Sequence, residues 1–511
     1  MLRAAARYLK RINKTDLPSS PIMSLRNIEQ IPAPIHRGMI QLDRGAFVTQ
    51  FSRLSVKVKN QDVGKVTKAK EMQPHILSIP RLRSVEPDPE SSDLRLVLLR
   101  YEEETQLPDP FKTFITPFSH GYQKYSATLD YDHWNAGEIL DAVLPEELME
   151  ESPTSYTQTG HIAHMNLRDE YLPYRYVIGQ VMLDKNPGLR TVVNKLDSID
   201  SEFRVFKMEV LAGDNDFIAE MRESDCKFTF DFSKVYWNSR LGHEHERLVD
   251  QFEPGQVVAD VMAGVGPFAV PAAKKRCLVL GNDLNPESTR WMEKNRVDNR
   301  VQEALRVSTL DGREFIQSAP LQIWTKPFDP LPPPRPSLRQ QEKEARRKRE
   351  AAKRAKESGV VPDVTEQFES LKVGESSVSS MIASSSEPIP EGETPASEPT
   401  ARTISHFVMN LPGSALEFLD AYNGCYKPLL AEPDFPGIEA IEMPYIHVHC
   451  FSKQAEGEPA TNDICKRASE TLRYEITPQS EGFKLHYVRK VAPNKDMYCI
   501  TFRLPKEVAF R

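Results

Sequence analysis

The run Asp260-Val-Met-Ala-Gly264-Val-Gly266-Pro267-Phe268 leaves an apolar stretch and enters a helical one. Glycines at such a turn let a ligand approach the backbone closely, and a helix start offers free N–H groups to a carboxylate or phosphate. Asp283 closes the next apolar run, where a carboxylate can accept hydrogen bonds from ribose hydroxyls. Alone, this pair fits a dinucleotide site and a plain tight turn about equally well. The Pro267-Phe268 step, standing where the pyrophosphate fingerprint carries its third glycine, decides against a dinucleotide. Asp311-Gly312 ends a third run, a polar terminus where a nucleoside amino group could bind, and Asn410-Leu411-Pro412 ends a fourth.

The elements that must position these residues alternate. VVADVMAG reads as a buried strand, PFAVPAAKKR as a helix, LVLGNDLN as a strand, and PESTRWMEKNRVDNR as a helix opened by Pro286 in its first turn. Strand ALRVSTLDG, helix REFIQSA, strand HFVMNLP, helix SALEFLDAYNGC and strand YIHVHCFSK follow, and KLHYVRKVAPNK and MYCITFRLP close the pattern. Such repetition implies a doubly wound, mostly parallel sheet, with ligands bound at the carboxyl ends of the strands. The arrangement resembles the class I (Rossmann-like) S-adenosylmethionine-dependent methyltransferases. In that class, a polar residue followed closely by proline at the fourth strand often faces the group being methylated, and here it points to a nitrogen acceptor.

At 511 residues, two or three domains are expected. We read 1–22 as a presequence, 23–130 and 131–232 as smaller α/β domains, and 233–511 as the methyltransferase domain. FVTQFSRLSVKVKN, LRLVLLRY, YVIGQVMLD and RVFKMEVLAG are the strand-like runs of the smaller domains. Lys57, Lys59, Lys65, Lys68 and Lys70 make a local basic stretch that suits either RNA or water. Between about 326 and 402 the alternation is broken by DPLPPPRP, QQEKEARRKREAAKRAK and a Ser/Pro-rich run, the composition of a disordered insertion. Six scattered cysteines with no CxxC pair argue against zinc and disulfides, and no apolar run approaches the ~18 residues of a membrane span. A net charge of -7 means that any RNA contact must come from local patches.

GHIAHMNLRDE, IGQVMLDKNP, VYWNSRLGHEHERLV, DVMAGVGPFAVPAAKK, GNDLNP, DGREF, MNLPGSALEFLDA, IHVHCFSK and VAPNK together closely resemble the eukaryotic and archaeal tRNA guanine-37 N1-methyltransferases. The likeness spans most of 130–511, and residues 23–130 more loosely resemble that family's tRNA-recognition domain. It implies methyl transfer from S-adenosylmethionine to N1 of guanosine 37, next to the anticodon, which supports reading-frame maintenance. It further implies that Glu244 is the general base, Arg204 stabilises charge on O6, and Asn410 orients the guanine. Removing the N1 proton needs a base, and growing charge on O6 needs a donor, so these residue types suit the chemistry. Cofactor binding then falls to His243, Asp260, Gly264, Gly266, Asp283, Leu284, Asn285, Asp311, Gly312 and Asn410, and substrate binding to Arg204, Tyr236, Arg240 and Pro412. The target base must leave its stack to reach the crevice. A rate that rises with pH as Glu244 loses its proton is expected.

Blander readings compete. Arg240 and Arg247 stand at helical spacing from Glu244 and Glu246 and could simply pair with them. His161, His164, His243 and His245 lack an acid or cysteine to complete a ligand set, so no metal is expected. Of His447 and His449, one is expected inside and one facing a loop. Two other functions stay open: aminocarboxypropyl transfer to a modified guanosine 37, and non-catalytic tRNA binding on a degenerate fold. The expected partner is tRNA with guanosine at position 37, the expected state a monomer without membrane contact. MLRAAARYLKRINK, basic, acid-free and amphipathic, resembles a mitochondrial presequence, with Met23 as a second start. Dual targeting to the mitochondrial matrix, and to nucleus and cytoplasm, is the corresponding expectation.

Overall fold

The structure, a computed structural model, describes residues 30–199, 203, 205–332, 346–347 and 401–511. The presequence, most of the insertion and Arg204 therefore lie outside the described residues. The chain forms two compact units, Met1–Asp200 with Phe206–Ala219 and Ser201–Val205 with Glu220–Arg511.

The first unit holds two four-stranded sheets. In one, Val85–Asp88, Ser91–Leu98, Thr49–Lys59 and Ser119–Leu129 pair in that order, all antiparallel. Alternation along Thr49–Lys59 buries Leu54, Val56 and Val58 against Phe111 and Ile115. Lys57, on the opposite face, pairs with Asp88 at 3.3 Å and Glu90 at 2.7 Å, so this lysine of the basic stretch is already neutralised. The second sheet orders Thr157–Thr159, Ile162–Met165, Thr191–Ile199 and Phe206–Gly213. The stretches 23–130 and 131–232 share one apolar cluster, which joins Phe47, Leu98 and Trp134 to Ile178 and Val192.

YVIGQVMLD is not a strand: it lies in the helix Arg175–Asp184. Val177, Ile178, Val181 and Met182 are buried, a spacing of one and four that suits a helix face, and the β-branched residues disguised it. Gly179 lets this helix touch the neighbouring strand, since a Cβ there would stand 2.4 Å from Leu211 Cβ.

The second unit is built on a seven-stranded sheet: β1 (Val257–Asp260), β2 (Leu278–Asn282), β3 (Leu305–Ser308), β4 (Ile404–Met409), β5 (Tyr445–Ser452), β6 (Lys484–Ala492) and β7 (Lys495–Arg503). The order is β3-β2-β1-β4-β5-β7-β6, parallel from β3 to β5, with β7 antiparallel to both β5 and β6. Around it lie α1 (Gly242–Val249), α2 (Ala269–Lys274), α3 (Pro286–Asp298), α4 (Gly312–Thr325) and α5 (Glu458–Leu472). α5 was not read from the sequence, and Ala415–Tyr422, read as a helix, forms the tighter 3-10 type. β1, β2 and β4 are in register through Asp260, Gly281 and Val408, so their carboxyl ends open at one level.

Both ends of the insertion are fixed to this sheet's helices. Arg402 donates to the Trp324 carbonyl at 2.9 and 2.7 Å and lies over the Trp324 ring, while the Leu331 carbonyl accepts from Arg276. Removing about 332–400 and bridging the gap with a short flexible linker is therefore expected to leave methyl transfer nearly unchanged, because loop closure depends only weakly on length. Transfer assays and cofactor titration of the deletion check this; lost cofactor binding would make the insertion part of the fold.

Candidate active site

Asp260 ends β1 fully buried, and neither carboxylate oxygen has a hydrogen-bond partner among the described residues. Burial, reinforced by the charge of Asp283, pushes this carboxyl up to about 8 against the pull of His449 and the Ala269 amide. The following turn needs both of its glycines. Gly264 (φ +55°) and Gly266 (φ +95°) are left-handed, and a Cβ on Gly266 would strike Val270 Cγ2 at 2.8 Å. A Cβ on Gly264 would meet nothing within 4 Å among the described residues, so the turn opens onto free space.

Asp283 knots this loop to the next strand: Oδ2 accepts from the Gly264 amide at 2.8 Å and Oδ1 from the Asn285 amide at 2.9 Å. Burial raises its pKa, and those two amides work the other way. The Ser288 side chain lowers it as well, and a carboxylate's two oxygens offer about four acceptor sites, so one remains for a hydroxyl. Leu284 is exposed beside it, an apolar side chain presented to the open side. Asn285 is engaged structurally, capping α3 through the Glu287 amide and donating to the Lys234 carbonyl, so only its backbone remains for a ligand. Asp311 is exposed and caps α4 through the Arg313 amide, with Gly312 packed so closely that a Cβ would stand 2.9 Å from Phe418.

A residue that the sequence reading passed over holds these loops together. Asn282, fully buried, donates to the carbonyls of Val261 and Leu310 and accepts from Ser308 Oγ and the Leu310 amide. Its signal was a polar residue inside the apolar run LVLGN. At β4, Asn410 Oδ1 is buried without a partner among the described residues, and the Pro412 carbonyl accepts from the Phe451 amide.

Tyr236, Arg240 and His243 are exposed before and at the start of α1, and Asn238 donates to the Tyr236 hydroxyl and caps the Arg240 amide. Glu244 is buried on the same helix. Arg247 grips it bidentately (Nε to Oε2 2.6 Å, Nη2 to Oε1 2.8 Å), and His449 Nε2 lies 2.7 Å from Oε1. The pairing partner is thus Arg247, with a histidine from β5 that sequence spacing could not have named. Burial alone would raise the Glu244 carboxyl; hydrogen bonds from Arg247 and His449 overcome it and hold the group at about 2. Burial alone would lower His449; Cys499 and Glu244 raise it to about 10.

With the carboxyl held that low, a rise of rate from titration of Glu244 itself is expected at acid pH and not near neutrality. The split expected between His447 and His449 fails: residues two apart on a strand share a face, and both are buried. Donor atoms of Glu244, His449 and Cys499 lie within 4.8 Å of one another, so an acid and a cysteine do meet a histidine, though none of the four first considered. Arg247 and His449 both hydrogen-bond this carboxylate, so the three residues meet as part of an ion-pair cluster. His245 instead contacts Glu223, Nδ1 to Oε1 2.5 Å.

Asn410, just past the end of β4, and His449, inside β5, stand at one level, each following the paired Met409 and Val448, which places the Glu244 cluster beside the carboxyl end of β4. Unpartnered carboxylate oxygens on Asp260, the open cradle at Gly264 and the unpartnered amide oxygen of Asn410 fit a cationic nucleoside such as S-adenosylmethionine.

Known proteins agree with this reading. Residues 136–216 match the TYW2 N-terminal domain, and residues 219–322 the TRM5/TYW2 methyltransferase domain. A solved structure described as the complex of aTrm5 and tRNALeu shares the fold: TM-score 0.52, 15% identity, covering 88% of this chain and 100% of that one. Curated relatives called tRNA (guanine(37)-N(1))-methyltransferase include those of Coprinopsis cinerea (45% identical, covering 92% of this chain and 95% of the relative) and Schizosaccharomyces pombe (41%, 92% and 94%). The Cryptococcus neoformans relative of the same name is 49% identical over 94% of this chain and 88% of its own length, and the chain belongs to this methyltransferase family.

Proposed function

We propose that the chain transfers a methyl group from S-adenosylmethionine to N1 of guanosine 37 in tRNA. The observation that carries the reading is Asn410: its buried amide oxygen, unpartnered among the described residues, stands at the level of the Glu244–His449 pair. An amide there can orient a guanine edge beside a carboxylate, which is what removal of the N1 proton requires. The cofactor, when bound, supplies the methyl group from its sulfonium.

Asp260 would face the cofactor's positive charge, Gly264 and Gly266 would let it lie against the backbone, and Asp283 would accept its ribose hydroxyls. Leu284 would cover an apolar face of the nucleoside, and Asp311 and Gly312 would border the far side. Tyr236, Arg240, His243 and Pro412, exposed or half-buried, would line the side from which tRNA arrives. Glu244, ionised at neutral pH, accepts the N1 proton as the methyl arrives. Arg204 would stabilise O6.

Inosine at position 37 keeps N1 and O6 and lacks the 2-amino group, so its methylation shows whether that group is read; adenosine lacks O6 and is expected to be a poor substrate. Methylation of adenosine 37 at the rate of guanosine would contradict this arrangement.

The chain acts as a monomer in this reading, and no helix among the described residues is long and apolar enough to cross a membrane. Its basic, acid-free start is a mitochondrial address. Chains begun at Met1 are expected in mitochondria, and chains begun at Met23 in cytosol and nucleus. Identical distribution in fractionated cells would end that assignment.

A further inference from the structure

The buried Glu244 raises a question that accepting a proton does not answer: where the proton goes next. The side chain is 3% exposed, and Arg247 and His449, both cations, occupy three of its contacts. Neither can take a proton. A carboxylate held so strongly ionised does not keep one either, so each turnover needs an exit.

One neighbour combines nearness with solvent. His486, on β6, stands with Nε2 3.6 Å from Glu244 Oε2 and has 45% of its side chain exposed. Its position follows from strand register. His449 pairs with Cys499 across β5 and β7, and Cys499 pairs with His486 across β7 and β6, so the three form a row with Glu244 of α1 beside it. One end of the row is buried against Glu244; the other reaches water.

We propose, resting on the methyl-transfer reading above, that His486 is the proton exit of the reaction, taking the N1 proton from Oε2 of Glu244 and releasing it to solvent. With cofactor bound, the N1–H bond would break and its proton move to Oε2 as N1 takes the methyl group, the S–CH3 bond breaking with its electron pair left on the thioether sulfur. The Oε2–H bond then breaks as Nε2–H forms on the imidazole, and the imidazolium gives up one proton to water. No oxidant or co-reactant is needed. A shift of the exposed ring closes the gap to the ~3 Å of a hydrogen bond.

The groups facing His486 set its titration. Glu244 and Arg247 come from α1, His449 from β5, Cys499 from β7, and Lys484 shares its strand. Burial and then the charge of Arg247 lower its pKa from the ordinary histidine value, Glu244 opposing and His449 adding to the lowering. His486 is thus neutral, and able to accept, at neutral pH.

The test uses the full-length chain with excess unmodified tRNA transcript under multiple-turnover conditions, because the exit acts after the methyl has moved. His486→Gln and His486→Ala are expected to slow turnover about tenfold or more, a smaller loss than the ~10²-fold expected for the base itself, with unchanged cofactor affinity and melting temperature. Wild-type rates are expected to fall on acidification below the His486 pKa; both variants lose that inflection, and added imidazole restores His486→Ala in proportion to its free-base concentration. Variants within twofold of wild type with the inflection retained, or a slowed His486→Ala that imidazole does not restore, overturn the proposal alone. A wild-type chain that makes no methylated guanosine overturns the functional reading and the proposal with it.

Discussion

Glu244→Gln slows single-turnover methyl transfer by ~10²-fold or more, the loss typical of a positioned base, while cofactor and tRNA still bind. Glutamine keeps the side chain's size and removes the proton acceptor. The cluster adds a second effect, on stability. Removing one partner of a buried pair costs on the order of 3–5 kcal/mol, because Arg247 and the protonated His449 are left facing a neutral amide. Melting curves measured beside the rates separate the two effects: the variant should melt earlier yet bind cofactor fully at a temperature where it is folded.

The pH signs follow from the two shifts. Glu244 is depressed to about 2, so its contribution to stability is fully present above its unfolded value near ~4.5 and fades as pH falls toward 2. His449 is raised to about 10, so its contribution is complete below about 6.5 and is lost as pH rises through 10. Wild-type stability is therefore expected to decline from pH 6.5 to 10, and Glu244→Gln to show less of that decline. If Glu244→Gln transfers methyl within a few-fold of wild type across pH, the residue is not the base, and its ion pair with Arg247 is its whole role.

Asp260→Asn is expected to weaken S-adenosylmethionine binding by at least about tenfold, roughly 1.4 kcal/mol, while making the free protein more stable above neutral pH. Its carboxyl, pushed up to about 8, holds a proton that the unfolded chain has released above pH ~4, so folding stability attributable to it falls between those values. A cation bound beside it favours the ionised form. Cofactor binding to wild type at pH 7 should release protons, seen as a buffer-dependent heat in titration calorimetry, and affinity should climb with pH and level off near 8. Asp260→Asn abolishes that release. Buffer-independent heat in wild type would remove Asp260 from the cofactor's charge partners.

The strand-end residues were legible because they sit where an apolar run meets a glycine turn or helix start, a local signal that Asp260, Asp283, Asp311 and Asn410 all carry. The parallel sheet followed from alternation in the same way. Illegible features were those made by topology. His449, Cys499 and His486 become neighbours because β7 inserts between β5 and β6, an order that no spacing along the chain reveals. Arg247 was foreseeable at helical spacing from Glu244, but choosing it over Arg240 required the burial of α1. The helix Arg175–Asp184 was missed because short apolar runs rich in valine and isoleucine suit both strand and helix. Asn285 shows the converse: a motif residue whose side chain serves the fold, leaving its neighbours to face the ligand.

The product tests the reaction most directly. Unmodified tRNA transcript bearing guanosine 37, incubated with the full chain and S-adenosylmethionine and then digested to nucleosides for mass spectrometry, should yield 1-methylguanosine from position 37, with S-adenosylhomocysteine released in equal amount. A nucleoside carrying an aminocarboxypropyl group, methylation at another atom of guanosine 37, or cofactor bound without turnover would contradict it.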